Sequence, residues 1–212
     1  MTTPKGESKY AELKQKEKEE TDTFFEAFSQ ETDRGFSITA VCYLDNALEK
    51  LIRAAYIEDP KVSSLFKNNQ ILQPFYNKIS VAYFSGLIEE PVYHDLMLVG
   101  EIRNRFAHGI TATLKFSDES INKKIDRLRE LPDTHRHYPP RLKFTLIVCH
   151  LGALLRTHKD ILLETREDPL IGMVKPAKLF KMDVHTLQRC ILTPNEIEEL
   201  IKKTADKRKT FK

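Results

Sequence analysis

Residues 91–109 read PVYHDLMLVGEIRNRFAHG, and this stretch decides the fold class. Val92, Leu96, Val99, Ile102 and Phe106 recur at intervals of three and four, which places them on one face of an α-helix. Pro91 suits a first helical turn, where its missing N–H leaves no bond unmade. Gly109 suits the position just past a helix end, because it tolerates left-handed backbone. The spacing therefore predicts a helix that ends at about His108.

The same period runs outward in both directions. Upstream, Val41, Leu44, Leu48, Leu51, Ile52 and Ala55 share a face from Phe36 onward until Pro60 interrupts. Thr32 or Asp33 can cap that helix, with Gly35 easing the entry. A short helical piece to Phe66 and the polar run Lys67-Asn68-Asn69-Gln70 precede a helix carrying Phe75, Ile79, Ala82 and Tyr83. Downstream, Ser117 can cap a helix reaching Arg129, and Pro132 and Pro139-Pro140 bound a polar loop. Residues 141–163 form a long apolar helix with Leu142, Leu146, Cys149, Ala153 and Leu154. Thr193, Pro194 and Glu196 make a capping box that opens a last helix. Residues 8–28 are charged and then amphipathic, ending in Phe24, Phe25 and Phe28; residues 165–192 read as irregular.

No alternating strand run interrupts this pattern, so the fold class is all-α: a helical bundle with extra C-terminal helices. Leu44, Leu48, Ile79, Val99, Ile102 and Leu146 are its expected core. The expected division is a charged extension over 1–22, the bundle over 23–165, and a C-terminal extension with a basic terminal helix over 166–212.

Composition narrows the class further. The chain has 212 residues, 41% hydrophobic and 31% charged, an ordinary globular balance large enough to fold without staples. A net charge of +3 does not by itself point to nucleic acid. Residues 201–212, however, carry six basic side chains against Asp206 alone. That tail is either a solvated helix end or a weak, salt-sensitive site for RNA or another polyanion. Cys42, Cys149 and Cys190 are widely spaced and form no C-x-x-C pair, so buried, reduced thiols in a cytoplasmic protein are expected. The first residues hold no apolar stretch of the signal-peptide kind, and no apolar run is long enough to span a membrane.

Four segments carry further information: Glu31-Thr32-Asp33-Arg34-Gly35, Tyr43-Leu44-Asp45-Asn46-Ala47-Leu48-Glu49, Tyr93-His94-Asp95-Leu96, and Ile102-Arg103-Asn104-Arg105-Phe106-Ala107-His108. In order and spacing they resemble the mannitol operon repressor (MltR-like) family, over roughly residues 24–122. The resemblance implies a helical regulator without a recognisable DNA-reading motif. The sequence agrees, since it has neither a helix-turn-helix with a basic recognition helix nor zinc-finger spacing. Repression through a protein partner, by a homodimer, is the function this implies.

A second resemblance is local. Arg103-Asn104-x-x-x-His108 is similar to the Arg-x4-6-His motif of HEPN domains, helical and usually dimeric modules that are often metal-independent ribonucleases. Cleaving RNA through its own 2′-hydroxyl needs a proton shuttle and a cation at the phosphorane. His108 fits the first role and Arg103, with its bidentate guanidinium, the second. Asp45 or Glu49 would orient the pair, and Arg34 and Asn104 would complete a binding cleft. Along a straight helix, five residues turn about 500°, so Arg103 and His108 diverge by roughly 140°. The competing structural reading pairs Arg103 with Asp45 or Glu49 and leaves His108 as a helix cap. Likewise Asp33 caps a helix while Arg34 pairs with a carboxylate.

His135-Arg136-His137 has no cysteine or carboxylate cluster at ligand spacing. His150 and His158 are too far apart along one helix to share an ion. Neither a metal nor a cofactor is expected.

Overall fold

The computed structural model describes residues 31–56, 59–108 and 114–166. Among them run six α-helices: α1 Asp33–Ala55, α2 Pro60–Ser64, α3 Phe75–Phe84, α4 Glu90–His108, α5 Glu119–Ile125 and α6 Pro140–Arg166. A single 3₁₀ turn, Asp133–His135, interrupts the polar loop before α6. All belong to one compact unit, Asp33–Ile191. The described residues contain no strand, as the unbroken helical period predicts.

α1 packs most extensively on α6, and also on α4 and α3; α5 bridges α4 and α6. The apolar stripes explain this. Leu44, Leu48, Leu51 and Ile52 of α1 are fully buried, as are Ile79 of α3 and Leu96, Val99 and Ile102 of α4. Leu146 of α6 is buried with them, so the six expected core residues all lie inside.

One end of the bundle is closed by aromatic rings. Phe36, Phe106, Phe116 and Phe144 are all but completely buried. Phe116 stands 4.9 Å from Phe106 and 4.8 Å from Phe144, centroid to centroid. Phe36 meets Phe144 edge-on at 5.6 Å, an arrangement the ring quadrupoles favour. These four rings gather the start of α1, the end of α4, the segment before α5 and the start of α6.

Two glycines set helix separations. A Cβ on Gly152 would lie 2.4 Å from the Tyr43 ring, and one on Gly100 would lie 2.8 Å from the Tyr76 hydroxyl. Both helix contacts need the missing side chain.

The structure differs from the sequence expectations in four places, the first being Tyr83, which stands exposed on α3. α5 is capped at Asp118 and ends at Ile125, short of Arg129. The reason is Asp95 of α4, whose carboxylate takes the backbone N–H groups of Arg129 and Glu130 at 2.8–3.0 Å and so holds that segment out of the helix. α6 is buried along Phe144, Ile147, Val148, Leu151, Leu155 and Leu162, whereas Leu142, Cys149 and Ala153 are only half-buried. Cys42 is exposed on α1, against the expectation of a buried thiol. The half-buried Cys149 thiol is desolvated, which pushes its pKa up to about 12. The expected helix over 8–28, Gly109, Cys190, the Thr193 capping box and the basic tail lie outside the described residues. No described helix is long and apolar enough to cross a membrane.

Candidate functional site

The start of α1 is fixed at three points. Asp33 accepts the Phe116 N–H at 2.9 Å and pairs with Arg141 of α6. Arg34 donates from Nη2 to the Ala107 carbonyl at 3.0 Å. The last carbonyls of a helix have no partner of their own and sit at its negative end, so a guanidinium there both bonds and neutralises. Arg34 therefore caps α4, where the sequence suggested a carboxylate partner or a cleft shared with Arg103.

Asp45 and Glu49 do share a face of α1, but the cation between them is Lys78 of α3. Its Nζ lies 2.9 Å from Asp45 Oδ2 and 3.0 Å from Glu49 Oε2. Lys78 is 3% exposed, and two carboxylates make that burial tolerable. Glu49 also binds Arg53 at 2.9 Å, and the Arg53 guanidinium lies 4.1 Å from the Phe66 ring centroid. The expected pairing of Arg103 with these carboxylates is not formed, because α3 packs on α1 and supplies the lysine first.

Arg103 instead donates from Nη1 to Asn104 Oδ1 at 3.0 Å. Asn104 passes the contact on, donating from Nδ2 to the Tyr76 hydroxyl at 3.0 Å. Among the described residues Arg103 has no ion pair, and its Nε is buried without a partner. The Tyr76 pKa is raised, first by burial and then by the Glu101 carboxylate; Arg103 opposes the shift.

His108 belongs to another face. Glu101, Asn104, Arg105 and His108 follow at helical intervals and line an open groove of about 610 Å³ with Leu114, which precedes α5, and Lys124 of α5. Arg103, two residues past Glu101, is turned about 200° from it and is not among the lining residues. Lys124 pairs with Glu101 at 2.5 Å across the groove. Arg105 and His108 are exposed. The groove thus presents two cations and an imidazole against one carboxylate that is already neutralised.

Several other histidines and acids tie elements together. Asp95 is fully buried and accepts three backbone contacts, with His94 Nδ1 at 3.0 Å. His158, also buried, bonds the Leu87 carbonyl through Nδ1 at 3.0 Å. His150 meets Glu130 at 3.1 Å. His135 stacks on Tyr138. Among the described residues no three His, Cys, Asp or Glu side chains converge as a metal site requires.

Sequence reading missed Lys78, Tyr76, Arg105 and Lys124. Lys78 had a signal: it is the sole charge in the apolar helix Phe75–Phe84. Arg105 had one too, since it shares the helical face of His108 more closely than Arg103 does. Tyr76 and Lys124 had none, because their roles depend on which helices meet.

No protein-family model matches the chain, and no curated protein matches it. Among solved structures, the fold is similar to a chain of the X-ray structure of the MtlR–HPr complex from Escherichia coli. The TM-score is 0.52 at 20% sequence identity, covering 65% of this chain and 96% of that one.

Proposed function

We propose, from that shared fold, that this chain is a regulatory protein acting through a partner protein rather than by reading bases. The observation that carries the reading is the fold likeness to nearly the whole of a chain solved in a complex between two proteins. The sequence resemblance to MltR-like proteins supports it, and transcriptional repression in the cytoplasm, by a homodimer, is the role we assign. HPr is the first partner to test. Titration calorimetry with purified HPr is expected to give a saturable complex; absence of binding at high micromolar concentration would remove HPr as partner. Light scattering is expected to give about twice the 24.6 kDa chain mass.

A metal-independent endoribonuclease using Arg103 and His108 is the second reading. One feature favours it: His108 is exposed in a groove with Arg105 and Lys124. It requires Arg103 to reach a phosphate held at His108, which a twofold partner could arrange. Incubation with mixed cellular RNA in EDTA tests it. Cleavage that His108→Ala abolishes would establish the enzyme and displace the first reading. In that case RNA, held partly by the basic tail, is the substrate.

A further inference from the structure

We propose that the groove between α4 and α5 docks an acidic amphipathic helix of a protein partner, with carboxylates on Arg105 and His108 and apolar side chains on Leu114. The inference rests on the protein-partner reading above and names the surface and the chemistry of the partner.

Charge complementarity selects the occupant. Glu101 is already met by Lys124 at 2.5 Å, so what the groove has left to offer is Arg105 and the His108 ring. Both are exposed, and neither has an ion pair among the described residues. Arg105 and His108 stand one turn apart on α4, about 4.5 Å along the axis. Glutamates one turn apart on a partner helix repeat at nearly the same interval. The groove is open, not enclosed, and at about 610 Å³ it admits a row of side chains. Leu114 gives that row an apolar wall. A helix laid in a groove is read through this mixture of apolar and charged anchors.

Nucleic acid fits less well. Its affinity comes from several cations along a backbone of phosphates, whereas here Glu101 lines the groove and occupies Lys124. A small anion fits less well again, because it would meet Arg105 and His108 but leave the Leu114 wall uncovered.

The test is fluorescence anisotropy on the full chain with a labelled helical peptide bearing glutamates one turn apart beside a leucine stripe. A peptide with lysine in place of glutamate is the control. Saturable binding of the acidic peptide alone is expected, weakened about tenfold or more by Arg105→Glu. Arg105 is exposed, so the variant should keep the wild-type circular dichroism. Leu114→Asp, at the apolar wall, should weaken the peptide as well. Affinity unchanged in Arg105→Glu overturns the proposal. Displacement of the peptide by poly(U) at equal or lower concentration assigns the groove to nucleic acid and also overturns it. So does displacement by millimolar inorganic phosphate, which marks a simple anion site. HPr run in parallel separates the two inferences: if it binds but the peptide does not, only the groove assignment falls.

Discussion

Asp95 is wholly enclosed, yet its carboxylate is met by two backbone N–H groups and His94. Asp95→Ala would orphan the Arg129 and Glu130 amides, and a loss of ~3–5 kcal/mol in urea denaturation is expected. A loss below about 1 kcal/mol would mean that water replaces the carboxylate. His158 makes a prediction about pH. Burial lowers its pKa from 6.5, so the unfolded chain takes up a proton before the folded one does. Stability is then full above pH 6.5 and falls as the pH drops from there toward the lowered folded value. Urea midpoints at pH 7.5 and 5.5 should therefore converge in His158→Gln relative to the wild type. At this scale the sequence was half legible. It marked Asp33, Arg34, Asp45, Glu49 and Asp95 as special, and each proved to be a tie between elements. It could not name their partners, which are backbone amides, a carbonyl, Arg141 and Lys78 from elsewhere in the chain.

Elements were more legible than their contacts. The helical stripes of α1 and α4 gave the right core because period alone decides which residues share a face, while that of α3 gave Ile79 and Ala82 but not Tyr83, which is exposed. The stripe of α6 was right for Leu146 and Leu154 and wrong for Leu142, Cys149 and Ala153, since nearly every side of its first turns is covered and periodicity then carries little information. The end of α5 was misjudged because a tertiary bond to Asp95 overrides local propensity. The same dependence on neighbours explains the site. Arg103 and His108 look like a pair in the sequence, but α4 turns them apart and groups His108 with Arg105. The α1–α6 contact offers a test at this scale. Gly152→Ala drives a methyl into the Tyr43 ring, and a cost of ~1–3 kcal/mol is expected from overpacking. Combined with Tyr43→Leu, the double variant should be more stable than the sum of the two single losses predicts. Strict additivity would show that the helices simply slide apart.

For the whole molecule, the described core lies within Asp33–Ile191. A chain of residues 31–191 is therefore expected to melt in one cooperative transition with the helical circular dichroism of the bundle. A broad, non-cooperative melt would show that the flanking segments complete the core. The bond between Asp33 and Arg141 adds something about time. It spans 108 positions of sequence, and α1 finds its most extensive neighbour, α6, only at the far end of that span. During synthesis α1, α3 and α4 can pair as soon as they leave the ribosome, since their contacts are nearer in sequence. The ring-closed end must wait for Phe144. Until then the start of α1 waits without its salt bridge, and the nascent chain exposes Phe36 and Phe106, an interval in which a chaperone has two aromatic rings to hold.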